Sequence, residues 1–129
     1  MELQRDAMIA DLNKAMTSPD GDTCMTGLVI VDVRDFRELN RSFGVECGDA
    51  ILQEISSRLG HLREDKAQCH YLGDDEFGVV LPNIKSPGIA MLSAETIAGV
   101  FKNVFEWGNH SLKITINSGI AYNLSLIHI

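Results

Sequence analysis

The run Tyr71-Leu72-Gly73-Asp74-Asp75-Glu76-Phe77 sets three consecutive carboxylates on a glycine turn between two apolar segments. Upstream, Ala67-Gln68-Cys69-His70-Tyr71-Leu72 is short and β-compatible; downstream, Phe77-Gly78-Val79-Val80-Leu81-Pro82 is a short apolar run closed by proline. Each suits a strand bounded by turn residues, so residues 67–82 are expected to form a β-hairpin with an acidic tip. Acid clusters in tight turns usually hold metal. A second apolar run, Gly27-Leu28-Val29-Ile30-Val31, ends at Asp32, and a carboxylate at the end of a buried strand points out of the sheet edge, where ligands of open α/β sheets sit. If this strand pairs beside the hairpin, Asp32 and Asp75 converge. Two carboxylates and a backbone carbonyl make the partial oxygen shell that Mg²⁺ accepts when substrate phosphates supply the rest.

The remaining pattern is consistent with one domain. Residues 2–16 read as a helix with Leu3, Met8, Leu12 and Met16 near one face, and Ser18-Pro19-Asp20-Gly21-Asp22 as a turn. A strand is expected at 26–32, a short helix at 35–42, and a longer amphipathic helix over 48–62 with Ile51, Leu52, Ile55, Leu59 and Leu62 inward. Ser86-Pro87 places an N-cap before a proline at the first helical position and opens a helix to about Phe105. Residues 111–121 form the last strand. This order predicts an α+β fold with a mixed, mostly antiparallel central sheet flanked by helices. At 129 residues with 45% hydrophobic content, one core is expected. The net charge of −7 argues against a nucleic-acid surface and implies that a polyphosphate ligand needs a divalent cation. Cys24, Cys47 and Cys69 show no paired spacing, so neither a disulfide framework nor a zinc site is expected. No apolar run approaches the roughly 20 residues of a membrane span and no signal layout opens the chain, so a cytoplasmic segment without membrane contact is expected.

Two blocks resemble one family. Asp32-Val33-Arg34-Asp35-Phe36-Arg37-Glu38-Leu39-Asn40, continued by Phe43-Gly44 and Gly48-Asp49-Ala50-Ile51-Leu52, is similar to D-x-D-x-F-K-x-I-N-D-x-x-G-H-x-x-G-D-x-x-L, and Gly73–Phe77 stands where the pattern has G-G-D/E-E-F. Both belong to the GGDEF family, the diguanylate cyclase domains that condense two GTP molecules into cyclic di-GMP. Weaker agreement extends to Gln4-Arg5 with Met8 and to Ile114–Ala121. The resemblance covers residues 1–122 and implies the nucleotidyl cyclase and polymerase palm fold; 123–129 is read as a tail outside the pattern, its ending resembling translated adapter sequence.

The resemblance implies roles for individual residues. Asp32, the Val33 carbonyl and Asp75 are the expected ligands of Mg²⁺ or Mn²⁺. Glu76 is expected beside the attacking 3′-hydroxyl, as a base or as a ligand of a second cation. Asn40 and Asp49 match the guanine-reading pair, whose groups complement the O6 acceptor and N1/N2 donors. Arg37 stands at a phosphate-binding lysine, and Phe36, Gly73 and Asp74 complete the expected substrate surface. GTP and, for a catalytic chain, a second copy of the domain are the expected partners. Simpler readings stand beside these: Asp32 as a helix cap, Asn40 and Asp49 as helix-end residues, Arg37 as a solvated cation.

Several positions depart from the pattern. Asp74 replaces a glycine, adding a Cβ and a charge where the backbone is expected to pass close to phosphates. Val45 replaces a histidine and Tyr71 an arginine. Arg63 is followed by Glu64-Asp65-Lys66, so the R-x-x-D product site is missing and feedback through it is expected to be absent. The wide turn before the first helix and the phosphate-binding lysine helix after the last strand are also missing, so the domain is read as incomplete. The alternative to a cyclase is therefore a degenerate domain that binds GTP or a partner and regulates a neighbouring module such as a phosphodiesterase.

Overall fold

The computed structural model describes residues 3–16, 23–61 and 68–126. The elements in chain order are α1 (Arg5–Met16), β1 (Thr23–Val33), α2 (Phe36–Phe43), α3 (Val45–Gly60), β2 (Gln68–Gly73), β3 (Glu76–Ile84), α4 (Pro87–Val100), β4 (Phe105–Trp107), β5 (His110–Leu112) and β6 (Ile116–Leu126). Four strands form one sheet in the order β2-β3-β1-β6, and its three ladders are antiparallel. β1 is central because Gly27–Val31 is apolar on both sides of the pleat, as a strand covered on both faces must be. The expected α+β architecture, an antiparallel sheet flanked by helices, is the one observed.

Alternation along β1 divides the core. Val29, Val31 and Val33 join Phe77, Val79 and Leu81 of β3 on one face, packed against Ile51, Leu52, Ile55 and Leu59 of α3 and Ala90, Ala94 and Ile97 of α4. Gly27 lets α4 approach: a Cβ there would stand 3.5 Å from the Ala90 Cβ. On the opposite face, Met8 of α1 sits over Gly78 beside Ile30 and Leu72. α1 is also tied to β2 by the contact between His70 Nε2 and Asp11 Oδ2 at 2.6 Å. Cys47 and Cys69 are free thiols, and burial pushes Cys69 up to about 11, so Cys69 offers little thiolate at neutral pH.

Some boundaries differ from expectation. Leu3 precedes α1 and is exposed, because residues 3–4 run along the free edge of β2 instead of starting the helix. There the Gln4 N–H donates to the Tyr71 carbonyl at 2.7 Å and the Tyr71 N–H donates to Gln4 Oε1 at 2.9 Å. α3 begins at Val45, three residues earlier than expected, because Gly44 at φ 94° turns the chain straight from α2 into it; Leu62 lies outside the described residues. The helix expected to reach about Phe105 ends at Val100. Phe105–Trp107 and His110–Leu112 instead form a small separate hairpin across Gly108-Asn109, with Gly108 at φ 58°. The last strand begins at Ile116 instead of residue 111, and the backbone of residues 123–126 continues it against the start of β1.

Ile55 is fully buried between α3 and the sheet. Truncating such a side chain removes its transfer energy and leaves a cavity. Ile55→Ala is expected to lower stability by about 2–5 kcal/mol, read as a fall in urea midpoint at unchanged slope.

Candidate functional site

The end of β1 and the β2–β3 turn build the site. Pairing sets Asp32 opposite Glu76 on β3 and opposite Asn117 on β6. Residues directly opposite in an antiparallel ladder share a face, so Asp32, Glu76 and Asn117 form a row across three strands. At the tip, Gly73 pairs with Glu76 around the two-residue loop Asp74-Asp75. Gly73 has φ 111° and Asp74 φ 50°; the second is the left-handed region, where aspartate is among the better-tolerated residues bearing a Cβ. The Val33 N–H donates to the Asp75 carbonyl at 3.3 Å, joining the turn to the end of β1.

The carboxylates here feel one another. Burial pushes the Asp75 carboxyl above its usual range, and the charges of Asp32 and Asp74 push it further; the N–H groups of Asp75 itself and Val33 pull the other way. Asp32 carries a buried oxygen, Oδ1, that has no hydrogen-bond partner among the described residues. A buried carboxylate oxygen without a donor is costly, and a cation at that oxygen removes the cost. Asp32, Asp75 and the Val33 carbonyl thus fit a Mg²⁺ or Mn²⁺ ion whose remaining ligands come from elsewhere. Among the described residues, no three His, Cys, Asp or Glu side chains gather as a metal cage, so the protein's shell is a partial one. The helix-cap reading of Asp32 does not hold: α2 begins after Asp35, which has φ 57° and makes no side-chain cap bond.

Beside the acidic tip lies a cleft of about 590 Å³. Of the expected site residues, Val33, Phe36, Arg37, Asn40, Asp74 and Asp75 line it. Asp74 therefore belongs to the cleft wall. Asp32, Gly73 and Glu76 flank the cleft through the strand ends and the turn without lining it. Burial raises the Tyr71 hydroxyl above its usual range, and Asp49, on α3, is near enough that its charge joins those of Asp74 and Asp75 in raising it further. Asn40 lines the cleft, and its buried Oδ1 lacks a hydrogen-bond partner among the described residues. Its carboxamide lies over Gly48, where an added Cβ would collide with it and come within 3.2 Å of Phe36 Cζ.

Three contributors were not singled out from the sequence. Asp35 and Glu38 line the cleft, giving its wall four carboxylates against Arg37; Glu38 also pairs with Arg41 at 2.6 Å. Asn117 enters only through the register of β6. Gly48 was legible as part of a motif, but its role as the seat of Asn40 was not.

A metal-free chain should show the cost of this crowding. The folded pKa of Asp75 is raised, so the penalty is absent below the unfolded value and grows as pH rises through the folded one. Asp75→Asn is expected to raise the melting temperature by a few degrees at about pH 7 without divalent cations, with the gain vanishing toward about pH 3.5. The same variant should lose the Mg²⁺- or Mn²⁺-dependent thermal shift of the parent chain.

Known proteins share this fold. Solved structures similar in fold include the GGDEF domain of PA1120 (YfiN or TpbB) from Pseudomonas aeruginosa, at TM-score 0.84 and 22% identity over 92% of this chain and 74% of that one. The GGDEF domain of DgcB from Caulobacter crescentus, solved in complex with c-di-GMP, matches at TM-score 0.78 and 24% identity over 92% of this chain and 71% of that one. In sequence, the chain is 30% identical over 112 residues to the probable diguanylate cyclase DgcF of Escherichia coli (strain K12), covering 85% of this chain and 35% of that protein. It thus spans about a third of that relative's length. The family described as "Diguanylate cyclase, GGDEF domain" matches residues 3–125, nearly the whole chain, and the protein belongs to the GGDEF domain family.

Proposed function

We propose that this domain holds one metal-bound GTP in the cleft beside Asp32 and Asp75 and serves cyclic di-GMP signalling. The observation that carries the reading is the unpartnered buried oxygen of Asp32 at a strand end that also presents Asp75, beside a cleft containing Asn40 and Arg37. The relatives' names, two GGDEF-domain structures and a probable diguanylate cyclase, point the same way.

In this reading Asp32, the Val33 carbonyl and Asp75 would hold Mg²⁺ or Mn²⁺, which would supply neutralisation of phosphate charge and polarisation of the phosphoryl oxygens. The chain's own groups do the rest. Asn40 turns its open amide position to the guanine edge with Asp49 near it, Phe36 and Gly73 shape the wall, and Arg37 meets a phosphate. Glu76 stands one residue beyond Asp75 and accepts the 3′-hydroxyl proton. Two such domains facing one another bring each 3′-hydroxyl in line with the other nucleotide's α-phosphorus; two phosphodiester bonds form and two diphosphates leave. The catalytic assembly is then a homodimer. A cytoplasmic place suits a GTP-dependent domain, and no described helix is long and apolar enough to cross a membrane.

A second reading is favoured by the place of Asp74. It lines the cleft, where its charge repels phosphate. Two unit charges 4 Å apart repel by about 4 kcal/mol at an effective dielectric of 20, and a third of that is already about tenfold in binding. On this reading the domain holds nucleotide or a partner weakly and regulates a neighbouring module such as a phosphodiesterase.

Mixing the chain with GTP and Mg²⁺ and quantifying cyclic di-GMP separates the two. Asp74→Gly is expected to raise turnover or GTP affinity about tenfold or more; a parent chain that already turns over well would refute the inhibitory role of Asp74. Gly48→Ala should displace Asn40 and cut GTP binding about tenfold or more while leaving Mn²⁺ binding unchanged, measured by calorimetry with each ligand.

A further inference from the structure

The turn that presents Asp74 and Asp75 is held by a residue with no role in the site so far. Tyr71 is 8% exposed, and its ring is tilted against that of Phe77 with centroids 5.2 Å apart. Its backbone is bracketed by Gln4, which donates to its carbonyl and accepts from its N–H. Its O–H donates to the carbonyl of Asp74 at 2.9 Å. Ring, backbone and hydroxyl are thus each fixed to a different part of the molecule: the core, the segment leading into α1, and the acidic turn.

That third contact falls where the turn is strained. Asp74 adopts φ 50°, a left-handed conformation that aspartate tolerates at a modest cost and that glycine adopts without one. Peptide orientation at Asp74 decides where the next residue's side chain goes, and that residue is Asp75. A hydrogen bond to the Asp74 carbonyl from a phenol locked in the core fixes this orientation. The charges of Asp74, Asp49 and Asp75 all bear on the same hydroxyl, which places it within the field of the cleft.

We infer that Tyr71 is the positioning residue of the acidic turn: its hydroxyl, anchored through Phe77 and Gln4, holds Asp74 left-handed and so sets Asp75 against Asp32 for binding a divalent cation. The cation-binding half of this inference rests on the proposed function; the clamp on the turn does not.

Tyr71→Phe keeps the ring and removes only the O–H. In the full chain, Mn²⁺ alone titrated by electron paramagnetic resonance should bind about tenfold more weakly to Tyr71→Phe. Amide exchange at Asp74–Glu76 should quicken about tenfold while β1 amides and the melting temperature hold. Glycine takes φ 50° without strain, so in an Asp74→Gly background the same Tyr71→Phe change should move Mn²⁺ affinity less than twofold. A merely structural tyrosine would act equally in both backgrounds, and that result overturns the inference, as does unchanged exchange in Tyr71→Phe. A parent chain that binds no Mn²⁺ refutes the metal reading of the cleft and with it the cation-binding half of the inference; the exchange comparison alone then decides whether Tyr71 clamps the turn.

Discussion

The register of β1 against β3 is the constraint on which the site depends. Asp32 pairs across from Glu76, and Val33 bonds to Asp75, only because Val31 lies against Phe77 and Val29 against Val79. Those apolar pairs share the main core with α3 and α4. A slip of one residue would turn the valines to the wrong face and carry Asp32 into the core. The hydrophobic energy of the core therefore holds the carboxylates in place, so that they are crowded although they repel.

This crowding is what a bound cation would relieve in the proposed function. Asp75 is destabilised as an anion by burial and by its neighbours, and one Asp32 oxygen is buried without a donor among the described residues. In the proposed function a divalent ion would remove both costs together, and its affinity would be the difference between an uncomfortable empty site and a satisfied one. Asp74 would shift this balance in the proposed function: a second carboxylate in the turn, beside Asp75, would favour the cation and oppose the phosphate that accompanies it. Its left-handed backbone adds strain that glycine would not carry.

Most of the sheet and the helices behind it were legible because each element has a strong local signal. The amphipathic period of Ile51, Ile55 and Leu59 and the apolar run before Asp32 leave little choice of structure. Reading failed where the period is weak. After Val100 no apolar stripe tells a helix from a strand, and the Gly108-Asn109 hairpin signal is only two residues long. Leu3 reads as part of a helical face, but Gln4 does better by satisfying the open edge of β2 at Tyr71, a long-range contact that no local pattern contains.

The sequence by itself determined the family, the acidic hairpin tip and the identity of the cleft's main residues, since motif spacing and periodicity are local properties written along the chain. Tertiary structure alone decided that Asp74 faces the cleft, that Asn40 rests on Gly48, that Asn117 stands beside Asp32, and that Tyr71 ties the turn to Gln4. Each of these depends on packing between segments distant in sequence, and on single backbone dihedrals that composition leaves open.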